Sequence, residues 1–303
     1  SKVKNNKILG IKRGQTFSPN HIGNDEAIFL LTMDALKKKG YTVETYSEEE
    51  FLQQEIQPID TFIVSMAREK TVIKKLQDLE ELGAKVINSG FGVENCFRTN
   101  MTKLLLNNQI PYPESLIIST SSKEGCLFND FPKPGIWIKR GDFHAIHKED
   151  VTFVASKEEG QEILREYALR GIPDAVISKH LVGDLVKFYG VRNTDFFFWF
   201  YPYEHNHHKY AHYEEINGKL VYNAFDESNL KQIALDAAEV LDVYIFGGDA
   251  IVDAAGNLQI IDLNDWPSFA PCREEGAKHI AQLIINIFEK QTNGIIAGEK
   301  QKI

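Results

Sequence analysis

A strand near the carboxyl end of the chain ends in polar side chains that share one face. The segment reads IIDLNDWPSF, in which two isoleucines precede Asp262 and Asn264, and Pro267 stops the strand. Because residues two apart in a strand point to the same side, Asp262 and Asn264 face one way while Ile261 and Leu263 face the core. The fold must bury one face of this strand and leave the other to solvent or to a ligand.

The preceding strand places a second carboxylate opposite the first. The runs DAIVD and LQIID flank AAGN, whose glycine marks a hairpin turn. If Asp253 pairs with Leu258, Asp249 lies directly across the ladder from Asp262, and two carboxylates in that position repel each other. A divalent cation between them would remove the repulsion. With the Asn264 amide, the set suits Mg²⁺ and disfavours zinc. The alternative is that these acids face water or cap the turn, as we expect of Asp253.

Three lysines are candidates to bind the phosphates that Mg²⁺ usually accompanies. Lys139 in GIWIKRGD and Lys187 in LVGDLVKFYGV lie within aliphatic strands, and Lys103 lies one turn into a helix. A buried charge is costly unless it is used, although an edge strand could expose either strand lysine to water. Together with a metal site, the three lysines indicate a phosphate clamp.

The first ninety residues alternate between strand and helix patterns, which predicts a parallel sheet. Ligands of such sheets bind at the carboxyl ends of the strands. We therefore assign the substrate side to polar residues that end strands facing the expected cleft. They are Arg13, Ser18, Asn20, Arg68 and Ser268. Solvated loop charges are the alternative for these residues, and Trp266, which ends the same strand as Ser268, can equally be a packing residue.

Charge and cysteine usage narrow the class of protein. The net charge of −9 disfavours a general nucleic-acid surface, so the expected partner is a small molecule. No apolar run has the length of a membrane span, and the three cysteines have neither metal-like nor disulfide-like spacing. We expect a cytoplasmic protein. A homo-oligomer is compatible with the sequence, which does not specify one.

The motifs, taken in order, resemble the ATP-grasp superfamily. They are INSGFGVENCFRTNMTKLLLNNQIPYPES, IWIKRGD, ISKHLVGDLVKFYGV and FGGDAIVDAAGNLQIIDLNDWPSF. The resemblance implies an α/β and α+β protein, in which an ATP-grasp fold follows a small parallel-sheet βαβ domain. The implied units are residues 1–92 for the N-terminal domain, 93–172 for the central lid subdomain, and 173–303 for the C-terminal subdomain with the metal site.

The resemblance also implies roles for individual residues. The implied ATP contacts are Lys103, Lys139, Ser178, Lys179, His180, Leu181, Asp184 and Lys187. Within that set, Lys103 and Lys139 would contact phosphates, 178–181 would contact adenine, and Asp184 would bind the ribose. The implied magnesium ligands are Asp249, Asp262 and Asn264. Lys139, Lys187 and Arg192 are the implied catalytic cations.

The implied function is an ATP- and Mg²⁺-dependent ligase that joins a carboxylate to an amine or thiol through an acyl phosphate. The alternative is a small-molecule kinase, because inositol-polyphosphate 5/6-kinases are similar in GDLVKFYGV and place a histidine where His147 stands. We therefore add His147 to the substrate candidates. The chain departs from the superfamily in its lid loop, RGDFHAIHKED, which is not rich in small residues. It departs again in FFFWFYPYEHNHHKYAH, which lacks the arginine that many of these ligases carry there; its histidines and Lys209 are possible substitutes.

Overall fold

The computed structural model describes residues 5–15, 22–122, 128–142, 150–205 and 213–301. The N-terminal unit is a parallel sheet with strand order β2-β1-β3-β4, as the alternating pattern predicts. Its strands are β1 (Lys7–Ile11), β2 (Thr42–Tyr46), β3 (Phe62–Ser65) and β4 (Lys85–Ile87). Its helices are α1 (Ile22–Lys38), α2 (Glu48–Leu52) and α3 (Lys70–Glu81). The two central strands, β1 and β3, carry buried side chains on both faces, which suits a sheet covered on both sides.

The central unit is an antiparallel sheet covered on one face by a helix. Its strands are β5 (Ser115–Ser119), β6 (Ile136–Arg140), β7 (Val151–Val154) and β8 (Asp174–Lys179), in the order β5-β8-β6-β7. The covering helix is α6 (Lys157–Leu169). Ile136, Ile138, Ala175 and Ile177 point into a core shared with this helix. Residues that alternate with them along β6 and β8 face the opposite way, toward the third unit.

The C-terminal unit is a second antiparallel sheet, with strand order β10-β9-β11-β12. Its strands are β9 (Asp184–Val191), β10 (Phe197–Phe200), β11 (Ile245–Val252) and β12 (Leu258–Asp265). Further helices are α4 (Gly90–Asn95), α5 (Arg98–Asn107), α7 (Pro202–His205), α8 (Glu227–Leu241) and α9 (Arg273–Gln301). No helix of the described ranges combines the length and the apolar character needed to cross a bilayer.

The boundaries of the central unit differ from those predicted from the sequence. β8 hydrogen-bonds between β5 and β6, so this unit extends to about residue 180 and does not end at 172. Met101 and Leu105 of α5 pack into the core of the C-terminal sheet and α8, so residues 93–107 do not belong to the central sheet. Strand pairing and burial of α5 decide these boundaries, and neither has a local sequence signal.

The N-terminal and C-terminal units share one hydrophobic core. Trp266 and Phe269, which follow β12, are fully buried against residues of α1 and α9. The packing alternative for Trp266 is therefore the one that the structure shows. This shared core fixes the end of β12 against the carboxyl ends of β1 and β3.

Candidate active site

A cleft separates the central sheet from the C-terminal sheet. It is lined from both sheets and from the start of α5. The lining side chains are Arg98, Pro113, Trp137, Lys139, Val151, Ser178, Lys179, Leu181, Leu185, Tyr213, Asp249, Ile251, Ile261 and Asp262. The cleft is charged around Lys139, Asp249 and Asp262 and apolar around Leu185 and Ile251. Such a division suits a ligand with one apolar and one strongly anionic part.

The predicted pairing of the two acids is confirmed. Asp249 of β11 lies directly opposite Asp262 of β12. The turn end of the hairpin differs from the prediction, because Leu258 pairs with Val252 and not with Asp253. The register shifts beside Asp249, which leaves Ile261 as the additional residue of a bulge on β12. Ile261 consequently lines the cleft and does not face the core as predicted.

Each carboxylate of the pair lies beside a cation. Lys187 Nζ is 3.6 Å from Asp249 Oδ1, and the Arg98 guanidinium is 3.6 Å from Asp262 Oδ1. These contacts offset part of the repulsion between the acids, so the acid pair by itself does not require a metal. Asn264 lies opposite Gly247, one pair further along the same face of the ladder.

The donor set nevertheless fits a magnesium ion. Asp249, Asp262 and Asn264 offer two carboxylates and an amide oxygen on one sheet face, and hard oxygen ligands with open positions suit Mg²⁺. No group of three or more His, Cys, Asp or Glu side chains within the described ranges could hold a metal. A zinc-type centre is therefore not seen in the part of the chain that the structure describes.

Lys139 is a buried cation that faces these acids from the central sheet. Only 8% of the residue is exposed, and Nζ lies 3.4 Å from the Ile261 carbonyl oxygen, to which it donates. Burial lowers the pKa of Lys139 from 10.5 to about 8; the nearby Arg98 charge lowers it too, while Asp262 and Asp249 act in the opposite sense. The lysine thus pays a large desolvation cost at the charged end of the cleft.

Arg98 is a functional candidate that sequence reasoning missed. It is the first residue of α5, is 4% exposed, and lines the cleft, whereas Lys103 on the same helix is exposed and does not line it. An arginine at the first turn of a helix beside an acidic strand was the available signal.

Four predicted adenine contacts lie at the other end of the cleft, and Ser178, Lys179 and Leu181 line it. The Ser178 hydroxyl lies 2.8 Å from that of Ser115, and Lys179 forms an ion pair with Glu114. The fourth residue, His180, is mostly buried, and burial lowers its pKa. The side chains of Ser178, Lys179 and His180 are held by protein contacts. The backbone N–H groups of Lys179 and His180 also donate to the carbonyls of Glu114 and Gly135, so part of the backbone assigned to adenine is engaged within the protein.

Asp184 is not placed to bind a ribose as predicted. It is 2% exposed, and its two carboxylate oxygens accept the backbone N–H groups of Val221 at 2.9 Å and Asn223 at 2.6 Å. The carboxylate therefore anchors the segment that precedes α8. The two N–H groups lie almost forty residues further along the chain, so no local sequence pattern predicts these hydrogen bonds.

Arg192 lies outside the cleft. It follows β9, five residues beyond Lys187, which places it about 17 Å further along the strand direction. Its guanidinium donates to the Val243 carbonyl at 3.2 Å and lies over the Tyr244 ring. These contacts give Arg192 a packing role and provide no support for the predicted catalytic one.

Arg13 and Arg68 form a buried link between the N-terminal sheet and β12. Arg13 contacts Asp25 at 3.3 Å and Asp265 at 3.5 Å, and Arg68 contacts Asp265 at 3.3 Å. Both arginines also donate to the Asp265 carbonyl. They fix the end of the strand that carries the metal candidates, so any contact with substrate would compete with this link.

The other substrate candidates are less informative. Ser268 is half-buried beyond the end of β12 and does not line the cleft. Ser18, Asn20 and His147 lie outside the described residues, as do His207, His208, Lys209 and His212.

Comparisons with solved structures extend over nearly the whole chain. The D-alanine–D-alanine ligase from Bacillus anthracis complexed with ATP is 14% identical, with a TM-score of 0.65 over 95% of this chain and 99% of that one. D-alanyl-alanine synthetase A from Vibrio cholerae is 11% identical, with a TM-score of 0.67 over 95% and 99%. VanG D-Ala:D-Ser ligase from Enterococcus faecalis is 12% identical, with a TM-score of 0.65 over 94% and 100%.

By sequence, no protein-family profile and no curated protein matches the chain. At 11–14% identity, the structural likeness establishes the fold. The parallel N-terminal sheet, the two antiparallel sheets and the cleft between them occur in the predicted order along the chain. The chain has the ATP-grasp fold, which it shares with the D-alanine–D-alanine ligases.

Proposed function

We propose that this protein is an ATP- and Mg²⁺-dependent ligase that joins a carboxylate to an amine or a thiol through an acyl phosphate. The observation that carries the proposal is the charge arrangement of the cleft. Asp249 and Asp262 are paired on one sheet, and Lys139 faces them, buried, from the other. A nucleotide polyphosphate with its metal ion would match both sets of charges.

The metal candidates and the cations of the cleft would have different roles. Asp249, Asp262 and Asn264 would hold Mg²⁺, which when bound neutralises charge on the phosphoryl group in transfer. Arg98 and Lys187 lie beside the two acids and would orient phosphate oxygens next to the metal ligands. The desolvated Lys139 gains most from an anionic ligand, because the ligand supplies the countercharge that burial removed.

The reaction would consist of two displacements. An oxygen of the substrate carboxylate attacks the γ-phosphorus of ATP, and ADP leaves with the electron pair of the broken phosphoanhydride bond. The amine or thiol then attacks the acyl carbon, inorganic phosphate leaves, and the nucleophile loses its proton. The protein contributes positioning and charge stabilisation in this scheme, and no protein nucleophile is required.

The kinase alternative differs in the acceptor only, since a hydroxyl oxygen would attack the same phosphorus. An acceptor that carries several phosphates needs available cations on the substrate side. The two arginines assigned to that side from the sequence, Arg13 and Arg68, both contact Asp265. This contact favours the ligase over a polyphosphate kinase.

The neighbours in fold are named as ligases that join D-alanine to D-alanine or to D-serine, so amino acids are the first substrates to test. Phosphorus NMR of protein, ATP, Mg²⁺ and amino-acid mixtures would identify the products. The proposal predicts ADP and inorganic phosphate in equal amounts, formed only when amino acids are present, and not formed by Asp262→Asn. A stable phosphate ester would instead establish a kinase.

A further inference from the structure

Two aromatic rings stack at the apolar end of the cleft. Trp137 of β6 and Tyr213 both line the cleft, with ring centroids 5.8 Å apart and planes inclined by 13°. Leu181, Leu185 and Ile251 surround them. Parallel, offset rings at this spacing form a favourable stack, and any flat aromatic ligand could make the same contact with the indole.

Tyr213 belongs to a short helical segment, 213–217, and the Asn217 side chain connects this segment to the neighbouring strands. Asn217 Oδ1 lies 3.2 Å from His180 Nε2, and the Asn217 amide donates to the Gly183 carbonyl. His180 Nδ1 in turn accepts from Trp137 Nε1 at 3.0 Å. The indole is thus fixed from its edge by the histidine, while one of its faces is covered by the Tyr213 ring, which also lies beside Tyr203 with centroids 5.8 Å apart.

The Trp137–Tyr213 stack lies where a nucleobase would lie if the phosphates of a bound nucleotide contacted Lys139. Trp137 and Lys139 are two residues apart on β6 and face the same side, which places the indole about 7 Å from the strand position of the phosphate candidate. The charged end is occupied by Lys139, Arg98 and the two acids, so the base of a nucleotide must lie toward Trp137. Leu181, Leu185 and Ile251 provide aliphatic surface at the Trp137 end.

We propose that Tyr213 and the nucleobase compete for the same face of the Trp137 indole, so that nucleotide binding displaces the 213–217 segment. This inference rests on the proposed function, because it requires a nucleotide in this cleft. Tyr213 acts as a cover that lowers nucleotide affinity and, at this end of the cleft, disfavours groups other than an aromatic base, because they cannot replace the ring that they displace. Trp137 is then a residue that selects nucleotides.

Binding of ATP and of inorganic tripolyphosphate, both with Mg²⁺, separates base contacts from phosphate contacts. A stacked base is worth about 1–3 kcal/mol, or roughly 5- to 150-fold in affinity. Trp137→Leu should lose that factor for ATP and nothing for tripolyphosphate, and Trp137→Phe should retain most of it. Tyr213→Leu should bind ATP several-fold more tightly, whereas Tyr222→Leu, an exposed tyrosine outside the cleft, should not change the affinity.

Hydrogen exchange of the unmodified protein provides a second readout. ATP should accelerate exchange at 213–217, and tripolyphosphate should leave it unchanged. Slower exchange with ATP, or unchanged ATP affinity in Tyr213→Leu, would overturn the inference while the proposed function stands. A wild-type protein that binds neither ligand would overturn the proposed function and this inference together.

Discussion

Replacing Lys139 by methionine should stabilise the protein and weaken its ATP binding. The ammonium group is buried, and its pKa falls from 10.5 to about 8 on folding, which corresponds to about 3 kcal/mol against the charged form. Methionine has a similar length and no charge to desolvate. The Nζ contact with the Ile261 carbonyl is lost, at a cost of about 1 kcal/mol. The net gain at pH 7 is about 1–3 kcal/mol in the free energy of unfolding.

The pH dependence of the stability difference between Lys139→Met and wild type tests this prediction. Because the folded pKa of Lys139 lies below the unfolded value, the penalty is fully present below pH 8 and is lost as the pH rises toward 10.5. The advantage of Lys139→Met should therefore be largest at neutral pH and shrink at pH 10. Thermal unfolding at both values measures it, and Lys103→Met, the same change at an exposed position of α5, should differ little from wild type.

The same variant should bind ATP about 10- to 100-fold more weakly, the worth of one charge-assisted contact. Opposite effects on stability and binding are the signature of a charge kept for a ligand. A Lys139→Met protein that is less stable than wild type at pH 7, or whose stability difference is the same at pH 7 and pH 10, would refute the reasoning.

Four further outcomes follow from the contacts. Asp262→Asn should reduce ATP turnover at least about 100-fold without lowering the melting temperature by more than a few degrees, while Asp253→Asn at the exposed hairpin turn retains turnover; equal activity in both would remove the metal assignment. Arg98→Ala should raise the Kd of ATP about tenfold, with partial recovery in Arg98→Lys, as titration calorimetry would show. Asp265→Ala should destabilise the protein by about 3–5 kcal/mol in urea unfolding, because it leaves the buried Arg13 and the partly buried Arg68 without this counterion. ATP affinity should fall above pH 8 as Lys139 loses its proton, and calorimetry in buffers of different ionisation enthalpy should detect proton uptake on binding; pH-independent binding would argue against a charged Lys139 at the phosphates.

The parts of this site that follow from the sequence depend on strand periodicity. Two apolar runs around a glycine turn suffice to bring Asp249 and Asp262 together, and the same alternation places Lys139 on a face away from the lid core. The predicted pairing of Asp253 with Leu258 at the turn is wrong by one residue, because Leu258 pairs with Val252. The bulge at Ile261 compensates for this shift, so Asp249 still lies opposite Asp262. A bulge depends on how the hairpin packs, which local sequence does not encode.

The residues that sequence reasoning misplaced have partners far along the chain. Asp184 accepts hydrogen bonds from the backbone N–H groups of Val221 and Asn223. Arg13 donates to Asp265, which lies some 250 residues further along the chain. Arg192 directly follows β9, the strand that carries Lys187, but its side chain packs against the Tyr244 ring and not in the cleft. Tertiary contacts determine where these charged side chains lie. Their residue types therefore suggested ligand contacts that their positions in the fold do not support.

The most direct test of the account is to trap the acyl phosphate. Hydroxylamine attacks acyl phosphates and yields hydroxamates, which form a coloured complex with ferric iron. Wild-type protein incubated with ATP, Mg²⁺, an amino-acid mixture and hydroxylamine should form hydroxamate in proportion to ADP, and Asp262→Asn should form none. ADP production without hydroxamate, or ATP turnover that does not depend on a carboxylate, would contradict the proposed ligase.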